Sequence, residues 1–332
     1  MKNSLFRSLA LQPAIWMAAM LASIAIAPST AAAQGYPDRA IKVVVPWPAG
    51  GTTDIAARVI AQQLAARLSQ PVIVENKPGA NGIIGAEAVA KAAPDGYTLF
   101  VASAETHAIN PHVYAKLPYD PLAGFVAIAP FVKVPFVLAS KVGVPASSAK
   151  EAVAFIQSQP GKLTYGSWGI GSIAQVGMEM IVEEAGLKIL HVPFNGGPPA
   201  FNALMAGQID FMILPAGAAD PLKKGGKIKI FGVTTGHRFA MMEDVPTLKE
   251  QGYNVDVANT FGFLAPAKTP PAVIQRLYTE ISEIIKRPDV QSALKAQGTE
   301  VFTLTQQEYA RTLVSELARW GEVIKRAGIK IQ

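Results

Sequence analysis

The chain has 332 residues, half of them hydrophobic, with a formal net charge of +6 and no cysteine. This length can bury one or two hydrophobic cores. The lack of cysteine excludes disulfide bonds, thiol nucleophiles and cysteine metal sites. The positive charge is mild and scattered, and no aromatic residues alternate with the small lysine cluster at 223–229. A nucleic-acid-binding surface is therefore not expected.

The first 33 residues have the pattern of a secretory signal peptide. Lys2 and Arg7 provide the positive start, residues 11–27 the apolar centre, and Ala31-Ala32-Ala33 the small-x-small cleavage site. Prolines and polar interruptions argue against the alternative, a membrane anchor. We expect a signal peptide over 1–33 and export to the periplasm. The mature chain then begins near Gln34 and keeps 28 basic and 24 acidic residues, a charge of +4.

Strand-like and helix-like segments alternate through the mature chain, which predicts an α/β fold with largely parallel sheets. The predicted strands are Ile41–Pro46, Val72–Glu75, Thr98–Ser103, Ala127–Lys133, Val137–Ser140, Thr164–Ser167, Ile189–Phe194, Phe211–Leu214, Ile228–Thr234 and Gly262–Ala265. The predicted helices are Ile55–Leu68, Ile83–Ala92, Ala149–Gln157, Ile173–Ala185, Ala200–Ala206, Ala272–Lys286, Pro288–Ala296 and Gln307–Ala327.

The turn after the first predicted strand, at residues 46–54, carries the strongest local signal. It reads Pro-Trp-Pro-Ala-Gly-Gly-Thr-Thr-Asp and leads into a helix that Thr53 or Asp54 can cap. A glycine-rich turn before a helix leaves backbone N–H groups unpaired, which suits an anion. The turn lacks the Gly-Lys-Ser/Thr ending of a P-loop, so a nucleoside triphosphate is disfavoured. The alternative is a tight turn that needs glycine for its backbone alone.

A second glycine turn, at residues 169–174, formally matches the dinucleotide-binding fingerprint. That fingerprint also needs an acidic residue about 20 positions later to hold the ribose. The next predicted strand ends in His-Val-Pro-Phe-Asn at 191–195, without a carboxylate. A dehydrogenase is therefore disfavoured, and the same turn suits a single carboxylate on a helix N-terminus.

Enzymatic signals are weak in this sequence. Neither Ser167 nor Ser172 has the glycine two residues earlier that a nucleophile elbow requires. The four histidines are dispersed and show no metal-binding spacing. We therefore expect no catalytic residues, no metal and no cofactor, with a spatially assembled α/β enzyme as the alternative. Trp47, Trp168 and Phe194 adjoin glycine turns, where either core packing or exposure to a cleft is compatible with the sequence.

The order of short motifs along the mature chain resembles the Bug family, the periplasmic substrate-binding proteins of tripartite tricarboxylate transporters. The resemblance covers essentially the whole mature chain. The motifs are Tyr-Pro-Asp-Arg at 36–39, the 46–54 turn, Val-Glu-Asn-Lys-Pro-Gly-Ala at 74–80, Pro-Asp-Gly-Tyr-Thr-Leu at 94–99, Thr-His-Ala-Ile-Asn-Pro at 106–111, Leu-Pro-Tyr-Asp at 117–120, His-Val-Pro-Phe at 191–194, Gly-Gln-Ile-Asp at 207–210 and Pro-Thr-Leu at 246–248.

The resemblance implies a two-lobed periplasmic binding protein fold of type II, a flytrap with its ligand cleft between the lobes. The first lobe is expected to comprise residues 34–136 plus 263–332, and the second residues 137–262. The implied function is capture of a small carboxylate, as a monomer, and its delivery to membrane transporter subunits. The alternative partner is a membrane kinase, for which the protein would act as a ligand sensor.

The family carries its ligand contacts on the two glycine turns and on flanking segments at strand ends. The expected ligand-binding residues are Pro46, Trp47, Ala49, Gly50, Gly51, Asp54, Ser103, Ala104, Glu105, Thr106, Ser167, Trp168, Gly171, Ser172, Phe194, Asn195 and Gly196.

Two departures from the family pattern make the expected site less positive. Glu105 stands where the family often has a small hydroxyl residue, and Phe194-Asn195-Gly196 replaces a commoner Tyr-Lys-Gly. A mono- or dicarboxylate is therefore favoured over a tricarboxylate. If Glu105 faces the ligand, it would pair with an ammonium or ring nitrogen and select an amino acid or a pyridine-type acid. The alternative is a solvated loop residue.

Overall fold

The computed structural model describes residues 35–330. The chain divides into two compact units, Met1–Asp38 and Arg39–Gln332, and only residues 35–38 of the first are described. The predicted signal peptide at 1–33 lies outside the described residues. Within residues 35–330, every helix is too short or too polar to cross a lipid bilayer.

Strands and helices alternate through the second unit, as the sequence predicts. The strands are β1 Ile41–Val45, β2 Val72–Asn76, β3 Thr98–Ala102, β4 Phe125–Lys141, β5 Thr164–Ser167, β6 Leu190–Pro193, β7 Phe211–Pro215, β8 Ile228–Val233, β9 Ala258–Pro266 and β10 Glu300–Val301. The helices are α1 Thr52–Leu68, α2 Ile83–Ala90, α3 Asn110–Val113, α4 Ala149–Gln157, α5 Ile173–Ala185, α6 Gly197–Met205, α7 Ala216–Lys224, α8 Pro271–Lys286, α9 Pro288–Lys295 and α10 Gln306–Ala327.

The strands form one ten-stranded sheet in the order β2-β1-β3-β9-β4-β7-β5-β6, with β8 and β10 also paired to β4. Parallel pairs flank the centre, where β1 joins β2 and β3, and β5 joins β6 and β7. The central strands β4 and β9 pair antiparallel with their neighbours. The mixed α/β fold is confirmed, but the sheet is less uniformly parallel than expected.

Strand β4 belongs to two sections of this sheet and joins them. Residues 125–135 pair with β9, whereas residues 136–141 pair with β7 and β8. The change of partner falls at Pro135 and Phe136, beside the predicted lobe boundary at 136/137. The division into lobes itself stays a prediction.

Three local predictions were wrong. Ala127–Lys133 and Val137–Ser140 were expected as separate strands, but the strand runs through Pro135, which pairs with Ala258. Residues 216–224 were not among the predicted helices, and they form α7, which contains Pro221. The segment after β3 was also expected to be a loop, and it forms a π-helical turn at Glu105–Ile109.

The last helix, α10, links two parts of the hydrophobic core. Its start carries a capping box in which the Thr305 hydroxyl accepts from the Glu308 N–H and the Glu308 carboxylate accepts from the Thr305 N–H. Trp320 is fully buried in the core around α5, and Tyr309 is buried in the core around β3. A Cβ at Gly262 on β9 would overlap the ring of Tyr309, so glycine is needed there to let α10 approach the sheet.

Substitution Gly262→Ala is expected to lower the free energy of unfolding by about 1–3 kcal/mol, because the buried Tyr309 ring has no free space to move into. Gly143→Ala is the control, since a Cβ there meets nothing within 4 Å. It should change stability by less than about 0.5 kcal/mol. Urea unfolding monitored by circular dichroism measures both variants. Equal stabilities would show that α10 does not pack against β9 as described.

Candidate functional site

A cleft with a volume of about 380 Å³ opens where the two sections of the sheet meet on β4. It receives the turns after β1, β3 and β5, the starts of α6 and α7, and the middle of β4 and β9. Its lining residues are Trp47, Gly50, Gly51, Thr52, Thr53, Glu105, Val134, Phe136, Trp168, Gly197, Pro198, Phe201, Pro215, Ala218, Asn259 and Phe261.

The turn between β1 and α1 is built around the carboxylate of Asp54. Its oxygens accept hydrogen bonds from the N–H of Gly50 at 2.9 Å, from Arg58 Nε at 3.0 Å and from Asn76 Nδ2 at 2.9 Å. Burial alone would raise the pKa of Asp54, but hydrogen bonds from Arg58, Gly50 and Asn76 together hold it below its ordinary value. Asp54 is buried and does not line the cleft, so it shapes the turn from inside the protein.

The exposed side of the same turn presents hydrogen-bond donors to the cleft. Gly51 is the N-cap of α1 and no side chain caps the helix there, so its first N–H groups lack the usual cap, and Gly51, Thr52 and Thr53 all line the cleft. Trp47 also lines the cleft, and its buried Nε1 has no partner among the described residues. A buried donor without an acceptor is costly, so this side of the cleft favours an oxygen-bearing ligand.

Glu105 lies on another wall of the cleft, on the π-helical turn, and is only 2% exposed. Asn259 Nδ2 donates to its Oε2 at 2.7 Å. Burial raises the pKa of Glu105, and hydrogen bonds from its own N–H, Asn259, Ser103 and the N–H of Ile173 offset only part of that rise. The expectation of a solvated loop residue is wrong, because the side chain is buried.

Hydrogen bonds within residues 167–175 hold the second glycine turn together. The Ser167 hydroxyl contacts the Gly169 carbonyl at 3.0 Å and His191 Nε2 at 2.7 Å. Ser172 caps α5 and donates to the Gly169 carbonyl at 2.7 Å. The N–H of Gly171 donates to Gln175 at 2.8 Å. Only Trp168 from this turn lines the cleft.

Gly171 instead contacts the segment before α2. Asn81 Nδ2 donates to the Gly171 carbonyl at 2.9 Å and to Asn110 Oδ1 at 2.7 Å. Gly171 has a φ of +75°, and a Cβ there would lie 2.9 Å from Val113. A larger residue at 171 would therefore disturb this contact between turns before it affected a ligand in the cleft.

Of the residues expected to bind ligand, the structure brings five together in the cleft: Trp47, Gly50, Gly51, Glu105 and Trp168. The others lie behind or beside it, and their role stays a prediction. Buried residues among these are Pro46, Asp54, Ser103, Ala104, Thr106, Ser167, Gly171 and Ser172, half-buried residues are Phe194 and Gly196, and exposed residues are Ala49 and Asn195.

Sequence reasoning missed most of the apolar lining. Phe136 lies between two predicted strands, and Asn259 and Phe261 precede the strand that was expected to begin at 262. The position of these residues in the cleft depends on strands β4 and β9, which cross the centre of the sheet. Pro198 and Phe201 follow shortly after the predicted ligand-binding residues Phe194, Asn195 and Gly196. Extending that predicted segment by a few residues would have included them.

The cleft lining therefore combines aromatic walls with a few polar groups. Among residues 35–330, no Lys, Arg or His lines it, and no group of three or more His, Asp or Glu side chains could hold a metal ion. The rings of Phe136 and Trp168 stack with centroids 5.9 Å apart. Such a cleft suits a small organic molecule that has an apolar body and an oxygen-bearing end.

The chain is similar to known proteins over most of its length. The model of the tripartite tricarboxylate transporter family receptor matches residues 56–329. Protein BugT of Bordetella pertussis is 32% identical over 324 residues, which cover 95% of this chain and 99% of BugT.

Two similar solved structures are complexes with carboxylates. An R. palustris protein with adipate superposes with a TM-score of 0.83 at 31% identity, covering 89% of this chain and 100% of its own. MatC from Rhodopseudomonas palustris, with bound malate, gives a TM-score of 0.78 at 31% identity, covering 87% and 100%. The chain therefore belongs to the tripartite tricarboxylate transporter receptor family, a family of solute-binding receptors, as its sequence motifs predicted.

Proposed function

We propose that the protein is a periplasmic receptor that captures a small carboxylate in this cleft and delivers it to membrane subunits of a tripartite tricarboxylate-type transporter. The observation that carries the proposal is the first turn, where the cleft is lined by Trp47, whose buried Nε1 has no protein acceptor, and by the start of α1, which no side chain caps. The adipate and malate of the two relatives support a carboxylate as the ligand.

The helix start stabilises a carboxylate without a basic side chain. The aligned peptide dipoles of α1 place partial positive charge at Gly51, Thr52 and Thr53, and an anion there gains about 0.3–1 kcal/mol, or up to about 2 kcal/mol when partly buried. The indole N–H of Trp47 adds a hydrogen bond to a charged acceptor. The aromatic walls then contact the apolar part of the ligand and exclude water, which strengthens these polar contacts.

Ligand capture in this cleft would draw together turns that belong to the two predicted lobes. Trp47, Gly51 and Glu105 belong to the predicted first lobe, whereas Trp168 and Phe201 belong to the second. A ligand that contacts both sets favours the conformation in which they are close. Strands β4 and β9, which cross the centre of the sheet, would provide the hinge.

The direct test is identification of the molecule that copurifies with the periplasmic protein, by mass spectrometry under native conditions. Calorimetric titration with adipate, malate, butyrate and phenylacetate then measures the affinity for acids of different shape. We expect a carboxylate to copurify and at least one acid of the panel to bind. A protein that binds no acid, and carries none, would not be a carboxylate receptor.

Substitution Trp47→Phe keeps an aromatic ring in the cleft and removes the indole N–H. We expect the affinity for the carboxylate to fall by roughly 10-fold to 150-fold, the equivalent of the 1.5–3 kcal/mol of a hydrogen bond to a charged group. Trp320→Phe is the matched control, since its Nε1 donates to Glu316 at 2.8 Å and lies outside the cleft. Unchanged affinity in Trp47→Phe would place the carboxylate elsewhere.

Closure on the ligand is expected to reduce the radius of gyration and to change the tryptophan fluorescence, because Trp47 and Trp168 both line the cleft and belong to different predicted lobes. Small-angle scattering and fluorescence titration with the acid that binds measure the two effects. The Trp47→Phe variant reports whether the fluorescence change comes from Trp47 or from Trp168. Binding by calorimetry without either change would contradict closure between lobes.

A further inference from the structure

Glu105 differs from the other buried acids in having no cationic partner. In the described part of the chain, four acidic side chains are buried: Asp54, Glu105, Asp210 and Glu280. Asp54 pairs with Arg58, Asp210 with Lys141, and Glu280 with both Arg67 and Arg276. No ion pair of the described residues includes Glu105, and no basic residue lines its cleft. A buried carboxylate without a cation is normally avoided, so this exception needs an explanation.

Hydrogen bonds from Asn259, Ser103, the N–H of Ile173 and its own N–H hold the Glu105 carboxyl group, but all of these donors are neutral and none brings a full positive charge to it. The Oδ1 of Asn259 accepts from the N–H of Ala104 at 3.0 Å, and a backbone N–H can only donate. The amide orientation of Asn259 is therefore set, and its Nδ2 must point to Glu105. This contact holds the carboxyl group in place on the cleft wall without bringing a positive charge to it.

Glu105 also opposes a ligand that is purely anionic. The cleft walls are aromatic, and the attraction or repulsion between two charges is stronger there than in water. A carboxylate held at the start of α1 would share the cleft with the carboxyl group of Glu105, and like charges in one low-dielectric site disfavour each other. A ligand that brings a positive charge of its own removes this conflict.

We propose that the ligand is a zwitterion, with its carboxylate at the start of α1 and a positively charged nitrogen against Glu105. This inference rests on the proposed function and narrows its substrate class. The ligand supplies the positive charge for Glu105, just as basic side chains of the protein supply it for Asp54, Asp210 and Glu280. The site then contains one acidic side chain and a ligand of zero net charge, and both charges of the ligand face a complementary group.

The lining favours a nitrogen that carries alkyl groups in place of hydrogens. A primary ammonium has three N–H donors to satisfy, but few side chains of the lining can accept: Glu105, whose Oε2 already accepts from Asn259, the two hydroxyls of Thr52 and Thr53, and the amide of Asn259. An alkylated nitrogen needs no hydrogen-bond acceptor and is stabilised by aromatic rings and by a nearby carboxylate. Phe136, Trp168 and Phe261 supply such rings in the same lining. The structure therefore assigns the ligand to the betaine class.

The test compares a betaine with its neutral isostere. The probes are 4-(trimethylammonio)butanoate and 5,5-dimethylhexanoate, which share one shape and one carboxylate and differ by nitrogen in place of carbon. Calorimetry measures both acids on the parent protein, on Glu105→Gln and on Glu179→Gln. Glu179 is the matched control, because its carboxylate accepts from the Tyr165 hydroxyl outside the cleft lining.

In the parent protein and in Glu179→Gln, the betaine is expected to bind at least about 10-fold more tightly than the isostere. In Glu105→Gln, the two affinities are expected to fall within about 3-fold of each other. The affinity for the isostere should rise and the affinity for the betaine should fall, each relative to the parent protein. Thermal unfolding of the free Glu105→Gln protein checks its fold, and we expect no loss of stability because a buried unpaired charge has been removed.

A parent protein that prefers the isostere, or a Glu105→Gln protein that keeps the preference of the parent, would overturn the zwitterion assignment. Binding of neither probe by a protein that binds adipate, malate, butyrate or phenylacetate would also overturn it, while the carboxylate receptor function would stand. A protein that binds neither of the two probes and none of the four acids adipate, malate, butyrate and phenylacetate would instead contradict the proposed function itself.

Discussion

The carboxylate of Asp54 is the contact on which the rest of the cleft depends. It accepts hydrogen bonds from Gly50 in the turn, Arg58 on α1 and Asn76 at the end of β2, so one buried group ties three elements together. Asp54 therefore holds the turn in place, and Gly50 and Gly51 of that turn line the cleft while Asp54 does not. We expect Asp54 to support the ligand contacts without being one of them.

The cleft lining contains two kinds of polar group. Trp47, whose Nε1 has no protein acceptor, and the uncapped start of α1 supply donors, whereas the buried carboxyl group of Glu105 is held by Asn259. Aromatic side chains make up much of the remaining lining. In such a site, affinity is expected to depend on the arrangement of charges within the ligand as much as on its total charge, because each end meets a different environment.

The fold and the first turn could be predicted from the sequence because their signals are local. The run at 41–45, the glycines at 50 and 51 and the helix that follows lie within one stretch of chain. Asn259 and Phe136 could not be placed, because their position in the cleft depends on pairing between strands far apart in sequence. The burial of Glu105 was missed for the same reason, since Asn259, which holds its carboxyl group, lies 154 residues further along the chain.

Helix α10 couples the two parts of the core that it joins. Trp320 packs in the core around α5, and Tyr309 packs in the core around β3. Contacts between elements far apart in sequence are costly to form, so neither part is complete without this helix. A change that loosens α10 is therefore felt in both parts of the core at once.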